Sequence, residues 1–306
     1  MRRLTNCVVL YALLALGVLA GGAEAAGKIR VVASLPDLKS LTEAVGGDLV
    51  EVETLARGDQ NFHDIEVRPS LMVKLRRADL LIRNGLDLDQ WVEPLLRGAN
   101  NGRLWPGNPG YVDVSRGIAV LGVPNTRVDR SMGDVHPEGN PHFTLDPATA
   151  PIVTGHIVES LSRVAPAQRA TFDARRRDFL ARLDAALARW QQALAPFRGA
   201  PVVVYHDTWP YFLERFGLRQ AATLENRPGI PPSPAHVADI IRLIKEQKVR
   251  VVISEPWADQ KLVDVVAREG GARPVLLAHG VGSVKGVTSY LEVFDYNVNA
   301  LAQVLR

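Results

Sequence analysis

Four of the seven histidines recur at wide and nearly even intervals along the chain, separated by 79, 64 and 73 residues. They are His63, His142, His206 and His279. Imidazole is the commonest neutral metal ligand in proteins, and four nitrogen ligands suit the tetrahedral coordination of zinc. Gaps of this length exclude a local zinc finger, so four separate loops would have to converge. The sequence therefore predicts a metal site in a cleft, provided that the fold brings these loops together.

Segments with strand patterns alternate with segments with helix patterns through both halves of the chain. Strands are predicted at residues 29–35, 49–55, 79–83, 118–121, 201–205, 249–254 and 274–277. Helices are predicted at residues 36–45, 69–77, 88–93, 211–216, 233–247, 260–269 and 290–305. This order is typical of α/β proteins in which helices cover parallel sheets.

The stretch from Ala167 to Ala195 contains neither glycine nor proline, and its apolar residues recur at spacings of three and four. That pattern predicts a helix of about 30 residues, roughly 45 Å long. We interpret it as a rigid backbone helix that joins two α/β lobes around an interdomain cleft. The predicted organisation is a signal peptide at 1–25, an N-terminal lobe at 26–163, the connecting helix at 164–198 and a C-terminal lobe at 199–306.

The N-terminus has the pattern of a secretory signal peptide. A basic start, an apolar stretch at residues 8–20 and small residues at Ala23 and Ala25 predict cleavage near Ala26. The only cysteine, Cys7, is poorly placed for lipid attachment and would be removed, which leaves no disulfide and no cysteine ligand. We expect an exported protein, periplasmic in a two-membrane bacterium. The formal net charge of only +3 does not favour nucleic acid binding.

The histidines can be placed on this predicted fold. Ligands of open α/β sheets bind beyond the carboxyl ends of the strands. His206 directly follows a predicted strand, and His279 follows another after one alanine. His63 lies in a loop of the first lobe, and His142 ends a long loop at residues 122–141 that is rich in glycine, proline and asparagine. Two histidines from each lobe are what an interdomain metal cleft requires, so we expect the four to share one site.

Three further residues are weaker candidates. His136 lies in the long loop beside two acidic residues, where it could capture a cation transiently; a solvated loop is the simpler interpretation. Asp207 and Glu255 could accept hydrogen bonds that orient the imidazole rings, although solvated surface acids are equally consistent. Glu255 is also the substitute ligand if His279 points away from the cleft.

Short motifs follow one another in a characteristic order over almost the whole mature chain. They are Val31–Ser34, Gly46–Asp48, Asp59–His63, Ala78–Leu80, Asn84–Leu86, Gly139–His142, Leu145–Pro147, Tyr205–Asp207, Tyr211–Phe212, Pro232–Pro234 and Ser254–Pro256. Together they resemble the zinc and manganese solute-binding proteins of bacterial ABC importers. The resemblance implies two α/β lobes, a backbone helix and a metal ion held between the lobes.

The resemblance also implies ligand roles. It places His63, His142 and His206 at the first three ligand positions of the family. Manganese-type members carry an acid at the third position, so His206 favours Zn²⁺ over Mn²⁺, since manganese prefers oxygen ligands. The fourth position, an aspartate or water in several subgroups, matches Ala278–His279–Gly280 here. The long loop also departs from the family, because many zinc-type relatives carry a dense His/Asp tract there.

The expected function is capture of a divalent metal, above all zinc, and its delivery to the membrane permease of an ABC importer. The protein would be a monomer without catalytic activity, and a metallochaperone is a further candidate partner. Binding should weaken as the histidines protonate below about pH 6. Two alternatives remain open: a zinc hydrolase with Glu255 as general base, and a metal-binding surface adhesin. The absence of an HExxH pair argues against the hydrolase, and the absence of a lipid-attachment cysteine argues against surface anchoring.

Overall fold

The computed structural model describes residues 27–128 and 132–306. The predicted signal peptide and Cys7 lie outside the described residues. Within those residues the strands form two four-stranded sheets in which every pairing is parallel. The strands are β1 (Ile29–Ala33), β2 (Val50–Thr54), β3 (Leu80–Arg83), β4 (Tyr111–Asp113), β5 (Pro201–Val204), β6 (Arg219–Thr223), β7 (Val251–Ser254) and β8 (Arg273–Leu276). The predicted α/β class with two parallel sheets is confirmed.

Both sheets have the same topology, with strand orders β2-β1-β3-β4 and β6-β5-β7-β8. In each, the chain first adds a strand on one side of the starting strand and then crosses to the other side. This reversal opens a crevice at the carboxyl ends of the two central strands, which is where open α/β sheets bind ligands. His206 lies just beyond β5 and Glu255 directly follows β7, so the topology places both at the crevice of the second sheet.

Helices cover the sheets. They are α1 (Pro36–Gly46), α2 (Pro69–Arg77), α3 (Val92–Ala99), α4 (Ala150–Val164), α5 (Arg169–Leu194), α6 (Pro210–Phe216), α7 (Pro234–Gln247), α8 (Gln260–Gly270) and α9 (Tyr290–Leu305). The side chain of Ser233 caps α7 by accepting from the amide of His236, and Pro234 occupies the first turn, as the sequence predicted. In the described part of the chain, every helix is too short or too polar to cross a membrane.

The long helix α5 extends over 26 residues and confirms the predicted backbone helix. It packs against α1 and α4 from the first half of the chain and against α9 from the second. Phe179, Leu183 and Trp190 are buried along its inner face. Buried side chains of both halves form one continuous core around it, because the largest apolar cluster includes residues from β1 through to α9. The lobe limits at residues 164 and 198 stay a prediction.

The strand predicted at 118–121 is wrong. The fourth strand of the first sheet is β4, which pairs with β3 although it has only three residues. Residues 118–121 instead cross toward the second half, where the amide of Leu121 donates to Tyr211 Oη at 3.0 Å. Ile118 is buried in the common apolar core and Val120 and Leu121 pack against it, which the sequence pattern does not distinguish from packing within a sheet.

Two further elements differ from the prediction at a sheet edge and at a helix start. The edge strand β6 (RQAAT) was not predicted, because its side chains are polar or small and only partly buried. The helix predicted at 88–93 begins instead at Val92 and continues to Ala99. Pro94 does not end the helix, because backbone N–H groups in the first turn have no hydrogen-bond acceptor within the helix, so proline removes no helical hydrogen bond there.

Candidate metal centre

Three of the four predicted histidines meet in the cleft between the sheets. One ring nitrogen each of His63, His142 and His206 lies within 4.8 Å of the others. The Nε2 atoms of His63 and His142 are 3.1 Å apart, and the ring centroid of His206 is 5.0 Å and 5.7 Å from theirs. Two nitrogen ligands at about 2.0–2.1 Å from a tetrahedral zinc ion lie about 3.3 Å from each other. The distance between the Nε2 atoms of His63 and His142 is therefore close to that of two zinc ligands.

Backbone hydrogen bonds and strand ends position the three histidines. The amide of His63 donates to Asn61 Oδ1 at 3.1 Å in a tight turn after β2. His142 follows Pro141, whose carbonyl oxygen accepts a hydrogen bond at 3.1 Å from Nδ2 of Asn84. Asn84 directly follows β3, so it anchors the loop of His142 at the crevice of the first sheet. His206 follows β5 in the other sheet and is only 1% exposed.

In each of the three rings, Nδ1 faces a polar partner away from the cluster. Asn140 Oδ1 lies 2.9 Å from Nδ1 of His142, and Glu225 Oε2 lies 2.7 Å from Nδ1 of His206. Since these oxygens only accept, both Nδ1 atoms carry the ring proton and both Nε2 atoms keep a free lone pair. Nδ1 of His63 lies 3.3 Å from Nε2 of His136. Three Nε2 atoms thus remain for a metal ion.

The electrostatic environment keeps most of these rings neutral. Burial lowers the pKa of His63 and His142 well below the ordinary value, and the neighbouring imidazoles lower it further. Burial also lowers the pKa of His136 and His279 to about 4. His206 is different: burial acts to lower its pKa, but the hydrogen bond with Glu225 and the nearby acidic charges outweigh burial and raise it. His206 therefore holds a proton most strongly in the cluster.

The structure places His279 at the edge of the cleft and outside the group of three. Its Nε2 donates to the backbone oxygen of Gln60 at 3.0 Å, and its ring packs on Phe62 at 4.7 Å between centroids. Because Nε2 carries the proton, Nδ1 keeps the lone pair, and Nδ1 is buried without a hydrogen-bond partner among the described residues. A buried imidazole nitrogen whose lone pair has no hydrogen-bond donor is unsatisfied, and a bound cation would satisfy it.

The two acids that the sequence singled out have different surroundings. Glu255 is fully buried, Oε1 accepts from Trp209 Nε1 at 2.7 Å, and Oε2 has no partner within the described part of the chain. Burial raises the pKa of Glu255 to about 7. Within the described residues Asp207 forms no hydrogen bond with an imidazole, although its charge helps to raise the pKa of His206. It accepts from Gln220 at 2.9 Å and from Asn140 at 3.2 Å, so it acts on His142 only through Asn140.

Two residues that orient the cluster were not found from the sequence. Glu225 lies two residues after the end of β6, and the polar composition of that strand prevented its recognition from the sequence. Asn140 lies in the motif that ends in His142, but the sequence does not show that the side chain of Asn140 turns toward the ring of His142. Only the observed hydrogen bonds assign both roles.

Comparison with known families agrees with this geometry. Residues 31–304 match the profile of the family described as ZnuA, zinc-uptake complex component A, periplasmic. The chain belongs to this family. ZnuA-type members are transport binding proteins rather than enzymes, and the resemblance to zinc and manganese solute-binding proteins is thereby confirmed.

Relatives of the ZnuA family match most of the chain at low identity. The high-affinity zinc uptake system protein ZnuA of Paracoccus denitrificans is 29% identical over 316 residues, which cover 90% of this chain and 91% of that protein. The zinc-binding lipoprotein AdcA of Streptococcus pneumoniae is 24% identical over 287 residues, which cover 92% of this chain and 56% of AdcA. The chain thus spans little more than half the length of AdcA.

Solved ZnuA structures have the same fold. A crystal structure of ZnuA gives a TM-score of 0.76 at 24% identity, with 91% of this chain and 100% of that chain covered. A deletion mutant of ZnuA with zinc bound gives a TM-score of 0.74 at 26% identity, with 91% and 96% covered. These likenesses support the two-sheet architecture around the cleft.

Proposed function

We propose that this protein is a periplasmic binding protein that captures Zn²⁺ with His63, His142 and His206 and delivers it to the membrane permease of an ABC importer. The observation that carries the proposal is the convergence of one ring nitrogen from each of three separate loops within 4.8 Å of one another, with the Nε2 atoms of His63 and His142 3.1 Å apart. Membership of the ZnuA family and the zinc-uptake names of its relatives support the same cargo and the same kind of transporter.

The ligand set favours zinc over manganese. The group of three contains imidazoles alone, and Glu225, an acid that contacts the group, accepts from the Nδ1 side of His206. Borderline zinc suits nitrogen ligands, whereas the harder manganese ion prefers carboxylate and other oxygen ligands. The zinc bound to the ZnuA deletion mutant supports this choice. Mn²⁺ should therefore bind more weakly at this site.

For the fourth position we propose His279, through Nδ1. That atom has a free lone pair, is buried, and has no other partner among the described residues. A charge on His279 would lower the pKa of both His63 and His142, so the ring is close enough to interact with them electrostatically. The alternatives are water and Glu255, whose Oε2 is also buried and unpaired in the described structure.

The hydrolase alternative needs a general base that a substrate can reach. Glu255 is the acid that could act in this way, but it is fully buried and its carboxylate is held by Trp209. We therefore propose binding without catalysis. Delivery by a metallochaperone, the monomeric state and periplasmic export stay predictions.

The test is metal content and competitive zinc affinity of the mature protein beside His206→Ala, His279→Ala and a control, His156→Ala. His156 contacts the carbonyl oxygen of Arg116 on the surface, away from the cluster. We expect one zinc ion per chain in the wild type and in the control. Loss of His206 should weaken binding more than about 100-fold, beyond the effect of losing a residue that only orients a ligand.

The other outcomes separate the remaining possibilities. A wild-type protein that binds no zinc would overturn the proposed function. If His279→Ala leaves zinc affinity unchanged, the fourth ligand is water or Glu255, and Glu255→Gln then distinguishes these two.

A further inference from the structure

Two loops from opposite halves of the chain cross beside the histidine cluster. The first, residues 132–139, precedes the motif of His142; the second, residues 225–230, follows β6. Where they cross, the amide of Asp134 donates to the carbonyl oxygen of Pro228 at 2.8 Å. A cavity of about 60 Å³ lies here, lined by both loops together with His142 and His206. The two loops therefore cover the space next to the cluster.

A glycine in each loop makes this close crossing geometrically feasible. Gly133 has φ of +78° and Gly229 has φ of +76°, in the left-handed region that favours glycine. A Cβ on Gly133 would overlap the carbonyl oxygen of Pro228, and a Cβ on Gly229 would overlap the carboxylate of Asp134. Glycine is thus favoured at each position for two reasons: its backbone conformation has a positive φ, and the opposite loop leaves no room for a Cβ.

Each loop is also tied to one of the clustered histidines. From the first loop, Nε2 of His136 lies 3.3 Å from Nδ1 of His63, and the two rings stack at 5.1 Å. In the second loop, Oε2 of Glu225 accepts from both Nδ1 of His206, at 2.7 Å, and the amide of Gly229, at 2.8 Å. One carboxylate oxygen therefore connects His206 to the point where the loops cross.

We propose that the 132–139 and 225–230 loops form a latch over the bound metal, and that Glu225 is the positioning residue that links the latch to the site. The inference rests on the proposed function, since it requires a metal ion on Nε2 of His63 and His206. With that ion bound, Nδ1 of both rings can only donate, and the positive charge strengthens donation to His136 and Glu225. Metal binding therefore favours the closed latch.

The same linkage works in reverse. If metal binding stabilises the closed latch, closure must raise metal affinity by the same factor. Because the closed loops line the cavity beside the cluster, closure should also slow the departure of the metal. The latch therefore slows release, which a permease would speed by parting the two loops.

The experiment is the rate of zinc release to an excess of chelator, measured by stopped flow, for the wild type, Gly133→Ala and Gly229→Ala. Neither glycine is a proposed ligand; Gly133→Ala acts on the crossing, and Gly229→Ala acts on the crossing and on the hydrogen bond from its amide to Glu225. We expect release at least about tenfold faster, as for the loss of groups that orient metal ligands. Gly271→Ala is the matched control, because Gly271 has φ of +80° with nothing within 4 Å of an added Cβ. Wild-type release rates in both test variants would overturn the latch.

Glu225 is tested separately by Glu225→Ala and Glu225→Gln, with hydrogen exchange of the two loops measured with and without zinc. Glutamine keeps an acceptor oxygen, so it should restore part of the slow release that alanine loses. Zinc should slow amide exchange at residues 133–139 and 226–230 in the wild type and not in Glu225→Ala. Equal exchange with and without zinc in a wild type that binds zinc would overturn the latch alone. A wild type without zinc binding would instead overturn the proposed function.

Discussion

The Nε2 atoms of His63 and His142 lie 3.1 Å apart although 79 residues separate them in the chain. Nδ1 of His142 already donates to Asn140, so Nε2 of His142 is the acceptor and His63 must donate to it in the metal-free protein. A metal ion would replace that proton and bind both nitrogens. Metal binding should therefore move that proton to Nδ1 of His63, where it faces His136.

Asn140 should be needed to orient His142. Its Oδ1 accepts from both the backbone amide and Nδ1 of His142, at 3.0 and 2.9 Å. We expect Asn140→Ala to weaken zinc binding about 10–100-fold while the fold is retained, because partners of ligating histidines have effects of that size. Competition with a chelating dye measures the affinity. Asn108→Ala removes a surface asparagine instead, and an equal loss in that control would contradict the prediction.

Zinc affinity should decrease as the pH falls, and the decrease should begin at a higher pH than for a site whose histidines have the ordinary pKa. Burial acts to lower the pKa of His206, but the hydrogen bond to Glu225 and nearby acidic charges raise it overall. Protons therefore compete with zinc at that ring first. The pKa of the other rings is lowered, and they stay neutral to lower pH. Titrations from pH 8 to pH 5 should show affinity decreasing above pH 6.5. In Glu225→Gln the decrease should begin at lower pH, and identical onsets would refute this account.

Glu255 should make the metal-free protein less stable as the pH rises. Burial raises its pKa from 4.5 to about 7, so its contribution to stability is fully present below pH 4.5 and is lost as the pH rises through 7. The shift corresponds to at most roughly 3 kcal/mol. Glu255→Gln stays neutral, so its free energy of unfolding relative to the wild type should increase between pH 4.5 and pH 7. Parallel curves from denaturant titrations would exclude this role.

Trp190 should contribute to stability without contributing to metal binding. It is 3% exposed, donates from Nε1 to Asp295 at 2.7 Å and packs on Phe294 at 5.1 Å, which joins α5 to α9. Trp190→Ala should lower the free energy of unfolding by about 3–5 kcal/mol and leave one zinc ion per chain. Trp105→Ala, at a residue that is 47% exposed, should cost less than about 1 kcal/mol. A Trp190→Ala protein that is folded but no longer binds one zinc ion per chain would contradict this prediction.

Much of the architecture was predictable because it depends on local periodicity. The helices at Pro69–Arg77 and Tyr290–Leu305 begin and end where the sequence pattern indicated, since proline or a serine cap marks their start. Elements without an apolar pattern were missed. The polar edge strand β6 is the clearest case, and with it the position of Glu225 was lost.

The α/β class, the long helix and the choice of His63, His142, His206 and His279 as candidate ligands followed from the sequence, because residue type and spacing report directly on local structure. Which ring nitrogens face one another depends on the assembled fold. It brings Nε2 of His63 and His142 within 3.1 Å and turns Nε2 of His279 to Gln60. The direction of a side chain depends on hydrogen bonds such as that between His206 and Glu225, whose partners come together only when the two sheets are assembled.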